Sequence, residues 1–243
     1  MPGVHIIEVA SPSFGPVGPM NLCLLVQDGE ATMVDAGLPG ASAPLLAYLE
    51  EISLAPQAIR RIIITHHHID HVGGLPEIVR LTGAEVWAHK EDAQVIDGTT
   101  PRPALPPERV ETMLARVPAE HREVAAARMK QMAAVPGVPV ELRLVGGEEL
   151  NLLGGVKILH TPGHTAGHLA LYLPALSLLL AGDLLRYEEG TIRPSPTGFA
   201  FDPDEALDSA RSVARLDFEG FIGYHGGCAV SGAKQLLCDS LLE

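Results

Sequence analysis

Thr65-His66-His67-His68-Ile69-Asp70-His71 follows directly on Arg61-Ile62-Ile63-Ile64. The β-branched run predicts a buried strand, and it empties into four histidines and an aspartate within six residues. Histidine is the commonest side-chain metal ligand, and carboxylates join it at zinc and iron sites. In extended backbone, residues i and i+2 point the same way. His66 and His68 are therefore expected to face one ion and His67 to point away. A turn after them would bring Asp70 and His71 to a second ion.

Further along stand His160-Thr161-Pro162-Gly163-His164-Thr165-Ala166-Gly167-His168, Gly182-Asp183 and Tyr224-His225-Gly226-Gly227. Each sets a histidine or aspartate at the end of an expected strand, beside a glycine that lets backbone approach closely. Alone each is weak; their order after the first cluster gives them weight. Upstream, Val34-Asp35-Ala36-Gly37 ends another expected strand.

The spacing predicts strands at Val4–Val9, Asn21–Gln27, Ala31–Asp35, Arg61–Thr65, Glu85–Ala88, Val140–Val145, Val156–His160, His168–Leu173, Ser177–Ala181 and Gly220–Tyr224. Helices are expected at about 41–52, 75–81 and 203–216, with a closing one from about Ser231. Seven prolines between Pro101 and Pro139 bracket two more helical stretches, in which Val110, Met113, Leu114 and Val117 share one face. Strand-rich and helix-rich stretches alternate in both halves, which predicts sheets covered by helices.

The 243 residues fit one large domain or two small ones, and a length of this order is routinely one α/β domain. With 47% hydrophobic residues a substantial core can be buried. The net charge of −13 argues against a nucleic-acid partner, because phosphate contacts need clustered Lys and Arg. Cys23, Cys228 and Cys238 form no C-x-x-C pair and suggest neither a disulfide framework nor a cysteine metal site. Met1–Phe14 lacks the pattern of a signal peptide. The most apolar segment, Leu169–Ala181, has 13 residues, short of the roughly 20 a membrane span needs. No membrane association is expected, and the cytoplasm is the expected location.

Taken in order, these residues resemble the metallo-β-lactamase superfamily: its pattern H-x-H-x-D-H, then H, D and H, is matched by His66, His68, Asp70, His71, His164, Asp183 and His225. The resemblance covers essentially the whole chain. It implies an α/β (α+β) fold, a four-layer αββα sandwich spanning 1–243 as a single domain. It implies that His66, His68 and His164 hold one ion, that Asp70, His71 and His225 hold another, and that Asp183 bridges them. Asp35 is common near the site in the family and is expected to orient a ligand from outside. His168 is expected to act by hydrogen bonding, and His160 and His67 stand outside the ligand set.

The resemblance implies two divalent ions, zinc first, with iron or manganese as alternatives. A hydroxide shared by two such ions would attack a carbonyl, with Asp70 as a catalytic proton shuttle. The expected function is hydrolysis of a carboxylic ester, thioester or lactone in a small-molecule acyl substrate. Ninety-two residues separate His71 from His164, more than in glyoxalase II or the acyl-homoserine lactonases. A helical insert at about 97–138 is therefore expected near the mouth of the site, as a lid or as an ordinary hairpin. It carries Met113, Met129 and Met132, and Arg102, Arg109, Arg116, Arg122, Arg128 and Lys130. Glyoxalase II shares the Thr-His-His-His-x-Asp-His-x-Gly-Gly pattern but adds a glutathione-binding helical region, whereas 18 residues follow His225 here; a glutathione thioester is not the first expectation. The lactonases often carry a tyrosine three residues after the bridging aspartate; here Arg186 stands there, with Tyr187 next. An iron-dependent persulfide dioxygenase, a phosphodiesterase and a non-catalytic member of the fold remain alternatives. A homo-oligomer is left open.

Overall fold

The structure, a computed structural model, describes residues 3–9, 19–115 and 117–242, apart from the side chain of Phe199. Arg116 and much of the Met1–Phe14 stretch lie outside the described residues.

β1 (Val4–Val9) pairs antiparallel with β2 (Met20–Gln27), and β2 shows how the layers arise. Leu22 and Leu24 bury into one apolar cluster while Cys23 and Leu25 bury into another. Side chains alternate between the faces of a strand, so a strand apolar at every position is covered on both sides. β3 (Glu30–Val34) and β4 (Ile59–Ile64) follow the same rule, with Ile62 and Ile64 on one face and Ile63 on the other. β5 (Glu85–His89) and β6 (Leu142–Leu144) complete a six-stranded sheet in chain order, antiparallel from β1 to β3 and parallel from β3 to β6.

The parallel half needs crossovers. α1 (Ser42–Glu51) joins β3 to β4, and α2 (Ile69–Val72) with α3 (Leu75–Thr82) joins β4 to β5. α4 (Lys90–Ile96), α5 (Pro107–Ala115) and α6 (Arg122–Ala133) lie between β5 and β6. Leu45, Leu49, Leu75, Ile78 and Ile96 pack these helices on the outer face of the sheet.

The second sheet holds β7 (Glu149–Leu150), β8 (Val156–His160), β9 (Leu169–Leu173), β10 (Leu178–Leu180), β13 (Gly220–Ile222) and β14 (Cys228–Ala229), in the order β14-β13-β10-β9-β8-β7. β11 (Leu185–Glu188) and β12 (Thr191–Pro194) form a separate hairpin. α7 (Pro203–Val213) and α8 (Ala233–Leu242) cover the outer face through Ala210, Val213, Ala233 and Leu237. Between the sheets, Val34 and Ile63 meet Ile158, Leu171, Leu180 and Ile222. The result is helix, sheet, sheet, helix: the αββα sandwich.

Two sequence expectations are corrected, and elements the sequence did not announce are added. The strand expected at Val140–Val145 narrows to β6: at its start the Val86 N–H donates to the Glu141 carboxylate (2.6 Å) rather than to a backbone carbonyl, and at its end the Val145 N–H donates to the Glu148 carboxylate (2.7 Å). Val117 falls beyond the end of α5, and α5 has no buried residue. α4 was not expected; His89 Nδ1 caps it by accepting from Glu91 N at 3.3 Å. The segment holding α5 and α6 closes at its base, where Val138 N donates to Ile96 O at 3.0 Å. Among the described residues no helix is long and apolar enough to cross a membrane.

The loops after β3, β4, β8, β10 and β13 gather at one edge of the sandwich. Leu169 N donates to Thr65 O across the two sheets (2.8 Å), and Tyr224 N donates to Gly182 O (3.3 Å).

Candidate metal centre

β3 hands the chain to Asp35, whose φ is 60°. A left-handed backbone costs an L-residue about 1–2 kcal/mol. The buried carboxylate accepts from Thr65 N at 2.8 Å and Thr65 Oγ1 at 2.9 Å, and lies 2.9 Å from His71 Nδ1. Hydrogen bonds to a charged group each contribute about 1.5–3 kcal/mol, so the contacts outweigh the strain. They also decide the chemistry of His71: with Nδ1–H given to Asp35, Nε2 faces inward as the atom left for a cation.

The extended backbone after β4 sets His66 and His68 side by side. His68 Nδ1 lies 3.0 Å from His66 Nε2 and 3.0 Å from His164 Nε2. Asp183 Oδ2 lies 3.5 Å from His164 Nε2 and 4.0 Å from His66 Nε2. These four residues present ligand atoms that all fall within 4.8 Å of one another. One turn further, α2 brings Asp70 and His71 to a second group with Asp183 and His225, also within 4.8 Å. His71 Nε2 is 3.3 Å from Asp183 Oδ1, and His225 Nε2 is 3.0 Å from Asp70 Oδ2. Asp183 belongs to both groups.

The electrostatics divide the same way. Burial first, and then the neighbouring imidazoles, hold His66 well below the usual histidine range. Burial lowers His68 to about 3 and His164 to about 4. These three are neutral, with lone pairs to offer. Burial opposes a charge on His71 too, yet Asp35, Asp183 and Asp70 outweigh it and raise its pKa well above the ordinary value. His225 is raised, against burial, by Asp183 and Asp70. Burial likewise works against the charged form of Asp70, but His71 and His225 bring it to about 2. The second group thus concentrates negative charge that protons balance when no cation is there.

The donor set fits divalent ions. His71 Nε2 and Asp183 Oδ1 are buried atoms without a hydrogen-bond partner. Orphaned buried polar atoms are costly, and a cation between them satisfies both. Three neutral imidazole nitrogens converging at 3.0 Å cannot all be paired by protons. Neutral histidine and carboxylate at this spacing suit zinc, and also iron or manganese.

A family model described as the metallo-beta-lactamase superfamily matches residues 16–223. The chain belongs to the metallo-beta-lactamase superfamily. Within it, the chain is 26% identical over 210 residues to YobT of Bacillus subtilis (strain 168), covering 83% of this chain and 80% of that protein. It is 30% identical over 198 residues to a hydroxyacylglutathione hydrolase of Methylobacillus flagellatus, covering 79% of this chain and 56% of the relative. The chain thus spans from about half to two thirds of the length of the hydroxyacylglutathione hydrolases it matches, 47% to 68%. A metallo-beta-lactamase family protein of Thermus thermophilus superimposes with a TM-score of 0.72 at 27% identity, covering 100% of this chain and 79% of that one.

Around this superfamily site stand residues that hold rather than face it. His168 Nδ1 lies 2.8 Å from Thr161 Oγ1, and its Nε2 accepts from Asp183 N at 3.1 Å. A Cβ on Gly182 would come within 2.8 Å of that same Nε2, so the glycine lets Asp183 pass over the ring. His160 stacks on His89 with centroids 3.9 Å apart, away from both groups. His67 turns from the cluster to Asp92. Two residues that sequence reasoning missed act here. The Tyr224 ring lies 3.7 Å from that of His71, and its hydroxyl donates to the Asp70 carbonyl. Asp92, 2% exposed, holds its carboxylate below the usual range; burial opposes this, and hydrogen bonds from His67 and Thr165 outweigh it. Asp92, Ala93 and Ile96 form the buried face of α4, and a buried carboxylate needs a reason, but that burial shows only in the structure.

Proposed function

We propose that this chain is a dinuclear zinc-dependent hydrolase that cleaves a carboxylic ester, thioester or lactone in a small-molecule acyl substrate. The observation that carries the reading is the position of Asp183 between two groups of ligand atoms. His66, His68 and His164 would hold one ion, Asp70, His71 and His225 the other, and Asp183 both. Such ions supply a water-derived nucleophile near neutral pH and Lewis acidity toward a carbonyl oxygen.

The residues do the rest. Asp35 and His168 fix His71 and Asp183 in orientation. Asp70, 28% exposed at its side chain, sets Oδ2 3.0 Å from His225 Nε2 and would carry a proton to the leaving group. Residues 97–138 are read as a helical insert over the mouth of the site. Arg109 Nη1 on α5 donates to Gly198 O at 3.0 Å, and Phe201 N in the same stretch donates to His164 O at 3.2 Å. Two complete groups favour two ions over the single iron of a persulfide dioxygenase. Relatives named hydroxyacylglutathione hydrolase support a hydrolase.

The test pairs metal counting with acid release across lactones, aryl esters, thioesters and phosphodiesters, for the zinc-loaded protein and Asp183→Asn. The expected result is two zinc ions per chain, hydrolysis of one carbonyl class, and loss of both activity and retained metal in the variant. Full activity with two ions retained in Asp183→Asn would remove the bridging role. One iron per chain, with thiol-dependent oxygen uptake, would overturn the hydrolase.

A further inference from the structure

Asp92 is a buried carboxylate on α4, outside both ligand groups, and the proposed chemistry makes no use of it. Four donors converge on it. Oδ2 receives His67 N at 2.9 Å and Thr165 Oγ1 at 2.8 Å, and lies 2.9 Å from His67 Nδ1. Oδ1 receives Gly167 N at 2.8 Å. His67 sits between His66 and His68, and Thr165 and Gly167 belong to the loop that carries His164. One carboxylate therefore ties together the two loops that supply the three histidines of the first group. It also accounts for residues in the sequence pattern that hold no ligand atom: the middle histidine of the triplet, the threonine after His164, and the glycine of Ala166-Gly167-His168. A Cβ at Gly167 would stand 2.6 Å from Asp92 Oδ1, closer than real contacts allow.

The geometry points to Asp92 as a positioning residue that sets the spacing of His66 and His68 against His164, and so governs the affinity of the histidine-rich group for its ion. The assignment rests on the reading of that group as a metal site. Only an acceptor-only group satisfies four donors at once. Asparagine at position 92 keeps the shape but turns an N–H toward a donor, so one loop must move. Outer partners that orient ligands typically alter metal affinity about 10–100-fold when replaced.

The experiment titrates metal-free wild type, Asp92→Asn, Asp92→Ala and Thr165→Val with zinc against a competing chelator. Bound ions are counted at saturation, and cobalt absorption reports the coordination geometry. Thermal unfolding of each metal-free protein is recorded beside it. Thr165→Val removes one of four donors at constant volume, and it serves where the Asp92 variants do not fold. The expected result is an affinity for one of two ions lowered about 10–100-fold in the Asp92 variants and by a smaller factor in Thr165→Val. The other ion is retained, and the cobalt spectrum of the weakened position changes. Unchanged affinities with a lowered Tm would make Asp92 a fold residue and overturn the assignment; equal loss of both ions would overturn it as well. A wild type that binds no metal would sink the metal reading itself, and this assignment with it.

Discussion

Replacing Asp35 by Asn keeps the side chain's shape and removes its charge. Oδ1 can still accept from Thr65, but an amide N–H now faces His71 Nδ1, 2.9 Å away in the native protein. The imidazole must then place its proton on Nε2, which closes the atom left for a cation. Affinity for the ion of the second group is expected to fall about 10–100-fold, read by zinc titration, with the first group little changed. An unaltered affinity would show that His71 keeps its tautomer without Asp35. At this scale the sequence was most legible for ligand types: histidine and aspartate at short spacing after a buried strand announce their chemistry. It was silent on Tyr224 and Asp92, because a tyrosine or aspartate has many ordinary uses and only its neighbours reveal which applies.

Alternation made the elements readable. Leu22 and Leu24 against Cys23 and Leu25 is a local pattern that forces a strand with two buried faces. α4 escaped, since seven residues are too few for a helical period to show, and the Glu141 side chain at the start of β6 bonds to a strand far away in sequence. α5 and α6 present the element-scale prediction. α5 buries no residue, α6 buries only Ala125, and the segment closes at Val138 and Ile96. Replacing residues 101–136 by a two-glycine link is expected to leave a folded protein that still binds its ions. KM for the substrate is expected to rise with the Arg109 contact to Gly198 gone. Loss of the ions on excision, counted after dialysis, would place these helices in the scaffold instead.

For the molecule as a whole, the buried histidines make stability depend on pH in two directions. His66, His68, His164 and His168 are held low, to about 3 for His68 and about 4 for His164 and His168. Below the ordinary histidine value near 6.5 the unfolded chain binds protons that these residues refuse, so stability falls as pH drops toward 4. His71 and His225 are raised. Their stabilisation is full below about 6.5 and is lost as pH rises through their folded values. The Tm of the metal-free protein, measured in chelator from pH 5 to 9, is expected to peak near neutrality; a monotonic profile would contradict these assignments. With zinc bound the alkaline fall should vanish, and binding near pH 7 should release protons, detectable by calorimetry in buffers of differing ionisation enthalpy. The sequence by itself determined the buried strands and the histidines and aspartates at their ends, because burial periodicity and metal-binding side chains are local properties; the two-sheet sandwich and the ligand set were expectations carried by the resemblance to the superfamily. Only the tertiary structure decided that Asp35 faces His71 Nδ1, that Asp92 ties two loops together, and how far Asp183 stands from each of the two groups. Those facts are distances between residues far apart in the chain, set by how the two sheets pack, and no local pattern contains them.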